Sequence, residues 1–229
     1  MNDSEGAPFS IKDCALIAIA TGKKAQNLRE LRECLREIDG GSIYYHFWGG
    51  LLRPRFDDPE YHNDFAIWVA HSLHNKVLAE RMAVIDPVAY DSMEDLRNEL
   101  VEMIEENLDE TEYPTWAKRD DQFEFIRHQI VVFDTNLSVE APEGFSDIIP
   151  GLSVGSIFYH LIDARRRNEN SLDDFQNWLC TLGDEYRGLC EMINGICTYF
   201  TALVKLREEL GRVFAMYFEK DGAERGTHA

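Results

Sequence analysis

His46 and His160 are the residues of this chain best suited to chemistry. Each follows a tyrosine, in YYH and FYH, and each precedes an aspartate, Asp64 by 18 positions and Asp174 by 14. In general-base catalysis such a carboxylate sets the imidazole tautomer while the ring takes the proton. The same pair also works as a staple, bridging two helices and satisfying a helix N-terminus. Because the pairing occurs twice, and no serine or cysteine stands at a nucleophile elbow to complete a triad, the staple reading outweighs the catalytic one.

The segments after the two YH pairs are locally basic, with Arg53 and Arg55 in the first and Arg165, Arg166 and Arg167 in the second. Guanidinium forks bind phosphate or carboxylate bidentately, so these five are candidate anion-binding residues. Asp57, Asp58, Asp163 and Glu169 lie close enough in sequence to compete for them. His62, His71 and His74 are weak metal-ligand candidates, with His71 and His74 spaced to share one helix face. A simple offset of 110 places Thr181 and Asp184 at the last two positions in the second half, and neither HExxH nor ExxH occurs. No metal is favoured and no cofactor is implied.

What must position these residues is an internal repeat. GSIYYHF from Gly41 returns as GSIFYHL from Gly155, an offset of 114 that also pairs Phe9 with Phe123, Thr21 with Thr135 and Leu35 with Ile149. Further on the offset shortens to 110, matching Asp64, Phe65 and Trp68 to Asp174, Phe175 and Trp178, and DLRNEL from Asp95 then matches KLREEL from Lys205. Each copy opens on a short apolar run, CALIAIATG or QIVVFDTN, read as a strand. Helices follow, their starts marked by Asn27 with Glu30, by Ser42 or Ser156, by Asn63 or Asp64, by Ser171 with Asp174, and by Ser92 with Asp95. Trp68 and Trp178, three residues beyond Phe65 and Phe175, read as core.

The expected fold is α+β and predominantly helical, a tandem duplication of a strand-plus-four-helices unit with pseudo-two-fold symmetry. Since a lone strand leaves its edges unpaired, the two strands are expected to pair with each other in a minimal sheet. An all-α chain is the fallback. The copies are expected at 8–117 and 118–220, divided in the polar stretch around Pro114, with 221–229 a disordered tail.

The ordered series NLREL, YYH, NDFAIW, LAERM and DLRNEL resembles a prokaryotic family known as the domain of unknown function numbered 5752. Its signature is an EL-rich helix, a YH pair, an NDFxxW segment and an LA pair. The first copy carries it best. The second keeps Tyr159, His160, Asp174, Phe175 and Trp178 but has Asp173 in place of Asn63 and Cys190 in place of Ala79. The resemblance implies unit boundaries and no activity.

Composition narrows the partners. Over 229 residues, 42 acidic against 23 basic side chains give a formal charge of -19, which opposes attraction to nucleic acid or an anionic membrane. Five cysteines without a CxxC pair read as reduced core thiols. With no secretory leader and no membrane-length apolar run, a cytoplasmic protein is expected. The function expected is binding or regulation, through a groove or pocket between the repeat units for a protein or a small anionic ligand. The alternative is an enzyme using a His/Asp pair as general base on an anionic substrate.

Overall fold

A computed structural model describes residues 7–52, 60–110 and 115–226. The architecture is α+β and predominantly helical, built on a two-stranded antiparallel sheet. Strands β1 (Phe9–Ala25) and β2 (Phe123–Val139) each run 17 residues, well past the apolar runs that mark them in the sequence. The extra length lies where apolar and polar residues alternate. Phe9 and Ile11 are buried while Ser10 is exposed, and Phe123 and Phe125 are buried while Glu124 is exposed, the period of two that a half-covered strand requires. Both strands bend at a left-handed residue, Gly22 (φ 78) and Asn136 (φ 57). The threonine before each ties down the bend. Thr21 Oγ1 donates to the Phe125 carbonyl and Thr135 Oγ1 to the Ile11 carbonyl, both at 2.6 Å.

The chain forms two compact units, one of Leu16–Ile130 and one of Met1–Ala15 with Val131–Ala229. These part inside the strands, so each unit holds the start of one strand and the end of the other. The former is called the N unit below and the latter the C unit.

In the N unit, α1 (Leu28–Glu37) starts at Asn27, whose Oδ1 accepts from Glu30 N at 2.9 Å while Glu30 reaches back to Gln26 N, a reciprocal capping box. Leu28, Leu31 and Leu35 form its buried stripe. Helix α2 (Gly40–Trp48) starts two residues before the expected cap: Asp39 takes the capping role, and Ser42 lies inside the helix, donating to the Ile126 carbonyl at 2.8 Å. Helix α3 (Asp64–His71) is capped by Asn63, α4 (Lys76–Ala83) by Asn75, and α5 (Met93–Glu110) by Ser92 with Asp95.

In the C unit, α6 (Phe145–Ile148) is short, and α7 (Val154–Ile157) starts at Ser153 rather than Ser156. It continues as a π-helical stretch, Phe158–Asp163, into α8 (Ala164–Arg167). Gly155 has no room for a side chain: a Cβ there would lie 2.4 Å from the Cys14 carbonyl oxygen of β1. Helix α9 (Asp174–Leu182) is capped by Asp173, not Ser171, which lies in the left-handed region at φ 57. Helices α10 (Arg187–Asn194) and α11 (Leu203–Gly226) complete the unit. The last helix runs through Gly226.

Each unit closes around one aromatic cluster. Phe123 stacks on Phe65 at 5.1 Å with Trp68 edge-on, and Phe9 stacks on Phe175 at 5.2 Å with Trp178 edge-on. Both tryptophans are buried, and each indole N–H finds a backbone carbonyl, Asp121 for Trp68 and Ala7 for Trp178, at 2.7 Å. The cysteines depart from the core reading. All five are free thiols, but only Cys14 is buried, while Cys180 and Cys197 are exposed because they fall on the outer side of α9 and in the loop after α10.

Candidate functional site

The two His/Asp pairs form with nearly the same geometry. His46 Nδ1 lies 2.9 Å from Asp64 Oδ2, and His160 Nδ1 lies 2.8 Å from Asp174 Oδ2. The other nitrogen of each ring accepts a backbone N–H from a strand: Ile126 N to His46 Nε2 at 3.0 Å, Lys12 N to His160 Nε2 at 2.8 Å. A backbone N–H can only donate, so Nε2 is the acceptor and the proton sits on Nδ1, aimed at the carboxylate. Each imidazole therefore links three elements, the YH helix, the strand and the first residue of the next helix. Both rings are 3% exposed and both ring nitrogens are used, which leaves no lone pair facing a substrate.

Beyond this shared core the units differ. In the C unit, Asp163 is fully buried and takes hydrogen bonds from Arg166 (3.0 Å) and Arg167 (2.9 Å). Arg167 also donates to Asp174 at 2.9 Å and to the Tyr159 carbonyl, and its guanidinium lies 3.9 Å above the Tyr159 ring, a cation–π contact. Burial pushes the Asp174 carboxyl up, but the hydrogen bonds from His160 and Arg167 outweigh it and hold the group below the ordinary aspartate range. Arg165 Nη2 stands 3.6 Å from Asp173 Oδ2, near enough to attract and too far for a hydrogen bond. Asp173 Oδ2 and Arg165 Nε and Nη2 are buried without a hydrogen-bond partner. Burial dominates at Asp173, pushing its carboxyl up to about 6 against the opposing pull of the Gln176 N–H and Arg165.

All three candidate arginines of the second half thus stand on carboxylates, and an incoming anion would compete with Asp163, Asp173 and Asp174 for them. Arg53 and Arg55, with Asp57 and Asp58, lie outside the described residues. His71 ends α3 and is exposed, and His74 follows in a left-handed turn at φ 55, so the two do not share a helix face as their spacing predicts. His62 is half-buried just ahead of the Asn63 cap. Among the described residues no group of three His, Cys, Asp or Glu side chains is placed to hold a metal ion, and no helix is long and apolar enough to cross a membrane.

A feature that the sequence reading missed is an open cavity of about 350 Å³ in the C unit. Phe9 and Trp178 form apolar walls, and Ser10, Lys12, Tyr159, Asn177 and Thr181 supply polar groups, beside His160 and Asp174. Lys12 Nζ pairs with the exposed Asp134 carboxylate at 2.8 Å, and Asn177 Oδ1 accepts from Asn170. The positions matched to Lys12, Asn177 and Thr181 in the N unit are Ile126, Ile67 and His71. Asn177 and Thr181, one turn apart on α9 and opposed by Ile67 and His71, were the available signal.

The solved structure of OrfY from Thermoproteus tenax is similar to this chain, with a TM-score of 0.74 and 26% identity over 91% of this chain and 94% of that one. Among curated proteins none matches. The model of a family of unknown function, DUF5752, matches residues 6–215, nearly the whole length, and the chain belongs to that family.

Proposed function

We propose that this chain is a non-catalytic binding protein whose ligand, a small anion, enters the cavity of the C unit. The observation that carries this reading is the character of the cavity wall. Its one carboxylate, Asp174, is already neutralised by Arg167 and bonded to His160, which leaves the Lys12 ammonium as the wall's cation and Ser10, Tyr159, Asn177 and Thr181 as neutral hydrogen-bonding groups. The counterion of Lys12, Asp134, has a side chain 58% exposed, and exposed pairs of this kind exchange readily for another anion. A few placed polar groups between aromatic walls is the usual make-up of a small-molecule site. Catalysis by His46 or His160 as a general base has less support, since a base needs a nitrogen free to take a substrate proton and here Asp64, Asp174 and two strand N–H groups occupy all four.

The test is calorimetric titration with three probes, inorganic phosphate, citrate and glycerol 3-phosphate, on the wild type and on a Lys12→Ile/Asn177→Ile variant carrying the N unit's residues. The reading expects saturable one-to-one binding of at least one probe, weakened about tenfold or more in the variant, a loss of roughly 1.4 kcal/mol. No saturable heat from any of the three, or equal binding by both proteins, would overturn it.

A further inference from the structure

We propose that Arg167 is a specificity-determining residue of the C-unit cavity: standing behind the wall, it cancels the charge of Asp174 and so fixes the cavity's preference for anions. The assignment rests on the reading of the cavity as an anion site. Arg167 does not itself line the cavity, yet it touches two residues that do. Its Nη2 donates to Asp174 Oδ2 at 2.9 Å, and its guanidinium lies 3.9 Å over the Tyr159 ring. The other two side chains that bond to Asp174, His160 through Nδ1 at 2.8 Å and Asn168 through Nδ2 at 3.2 Å, are neutral, so the balancing charge comes from Arg167.

The local backbone brings Arg167 to both wall residues. Through Phe158–Asp163 the YH helix is π-helical, a form that recurs at functional sites. Past it Arg167 folds back over the stretch, with Nη2 also donating to the Tyr159 carbonyl at 3.0 Å and Nε to the buried Asp163 carboxylate at 2.9 Å. Asp163 takes Arg166 as well, so Asp163, Arg166, Arg167 and Asp174 together carry no net charge. Gly49 stands where the C unit has Asp163, so the N unit lacks the carboxylate that anchors this arrangement. With the four side chains balanced, the Lys12 ammonium sets the sign of the wall. Without Arg167, the Asp174 carboxylate would face the ligand uncancelled and offset Lys12.

The test is calorimetric titration of the full-length protein at neutral pH with inorganic phosphate, citrate and glycerol 3-phosphate. The proteins compared are the wild type, Arg167→Gln, Asp174→Asn, the double variant and Arg167→Lys. Affinity should follow the summed charge of positions 167 and 174. Asp174→Asn, with a net positive pair, should bind tightest. The double variant, neutral like the wild type, should match it, and Arg167→Gln, with a net negative pair, should bind about tenfold or more weakly. Arg167→Lys keeps the charge and should stay within about threefold of the wild type. A second readout needs no ligand: followed by carboxyl-carbon NMR, the titration of Asp174 should move up from its depressed position in Arg167→Gln. Equal binding by Arg167→Gln and the wild type, an Asp174 titration that does not move, or a double variant as weak as Arg167→Gln would each overturn the assignment and leave the anion reading standing, the last by making Arg167 an anchor of the fold alone. Should Arg167→Gln fail to fold, Asp174→Asn still decides, since binding no tighter than the wild type's would overturn the assignment too. A wild type that binds none of the three probes would overturn both readings.

Discussion

The end of α2 in the N unit and the matching stretch of the C unit do the same job with opposite chemistry. Where the first has Gly49, Leu51 and Asn63, the second has Asp163, Arg165 and Asp173. Asn63 satisfies its surroundings completely, accepting from Ala66 N at 2.8 Å and donating to the Met82 carbonyl at 2.9 Å. Asp173 keeps only the cap, 2.9 Å to Gln176 N, and Gln176 itself donates to the Cys190 carbonyl. The ionic version is the poorer solution for stability, because a buried ion pair at 3.6 Å recovers little of what desolvation costs. Nor does the N unit have space for it, since a side chain at Gly49 would lie 2.8 Å from the Tyr45 ring. The His/Asp relays agree to within a few tenths of an ångström while their surroundings diverge. What is common maintains the unit, and the ionic version belongs to the unit that holds the cavity.

The largest effects should come from converting one solution into the other. Arg165→Leu alone leaves the buried Asp173 carboxylate without its countercharge and should cost about 3 kcal/mol in urea unfolding at neutral pH, whereas Arg165→Leu with Asp173→Asn, which copies Leu51 and Asn63, should gain about 2 kcal/mol. If the double variant is less stable than the single one, the two residues are not acting as a pair. The same pair sets a pH dependence. The folded value of Asp173, about 6, lies above its ordinary 3.8, so the native state binds the proton more tightly than the unfolded chain. Its contribution to stability is whole below about pH 4 and is lost as the pH rises through 6, a loss of about 3 kcal/mol. The difference between wild type and double variant should therefore grow over that interval, and parallel curves would refute the assignment.

The fold was legible from local signals. The spacing of Leu28, Leu31 and Leu35, the Asn27/Glu30 and Ser92/Asp95 boxes and the paired Trp68 and Trp178 each act within a turn or two of the chain, and all appear as read. The strands were recognised by their continuous apolar middles, and their ends were missed because Ser10, Lys12 and Glu124 interrupt such a run at the positions between the buried Phe9, Ile11, Phe123 and Phe125. Ser42 was misplaced because its partner, the Ile126 carbonyl, lies 84 residues away and no local pattern encodes it. The cavity was illegible for the same reason, since it gathers Phe9 and Lys12 from β1 with Asn177 and Thr181 from α9.

Next in size are the relays, where the two units should respond alike. His46→Ala and His160→Ala each leave a strand N–H and an aspartate without the ring between them, and each should cost about 2 kcal/mol. The check is chemical denaturation of both variants. Costs that match within about 1 kcal/mol mean a shared structural role. A variant that unfolds like the wild type would instead point to a histidine kept for chemistry.

The smallest effect tests whether the strand bends are equivalent as well. Thr21→Val and Thr135→Val keep the shape and β-branching of the residue while removing the hydroxyl that donates to Phe125 or Ile11. That hydroxyl also accepts from the N–H two residues on, Lys23 at 3.2 Å and Leu137 at 3.2 Å. Each substitution should cost about 1 kcal/mol, with Thr21→Val the larger because its hydrogen bonds are the more buried of the two sets. Amide exchange supplies the direct measurement. The N–H groups of Lys23 and Leu137 should lose protection in their own variants, because the threonine oxygen accepts from each just past the left-handed residue at Gly22 or Asn136.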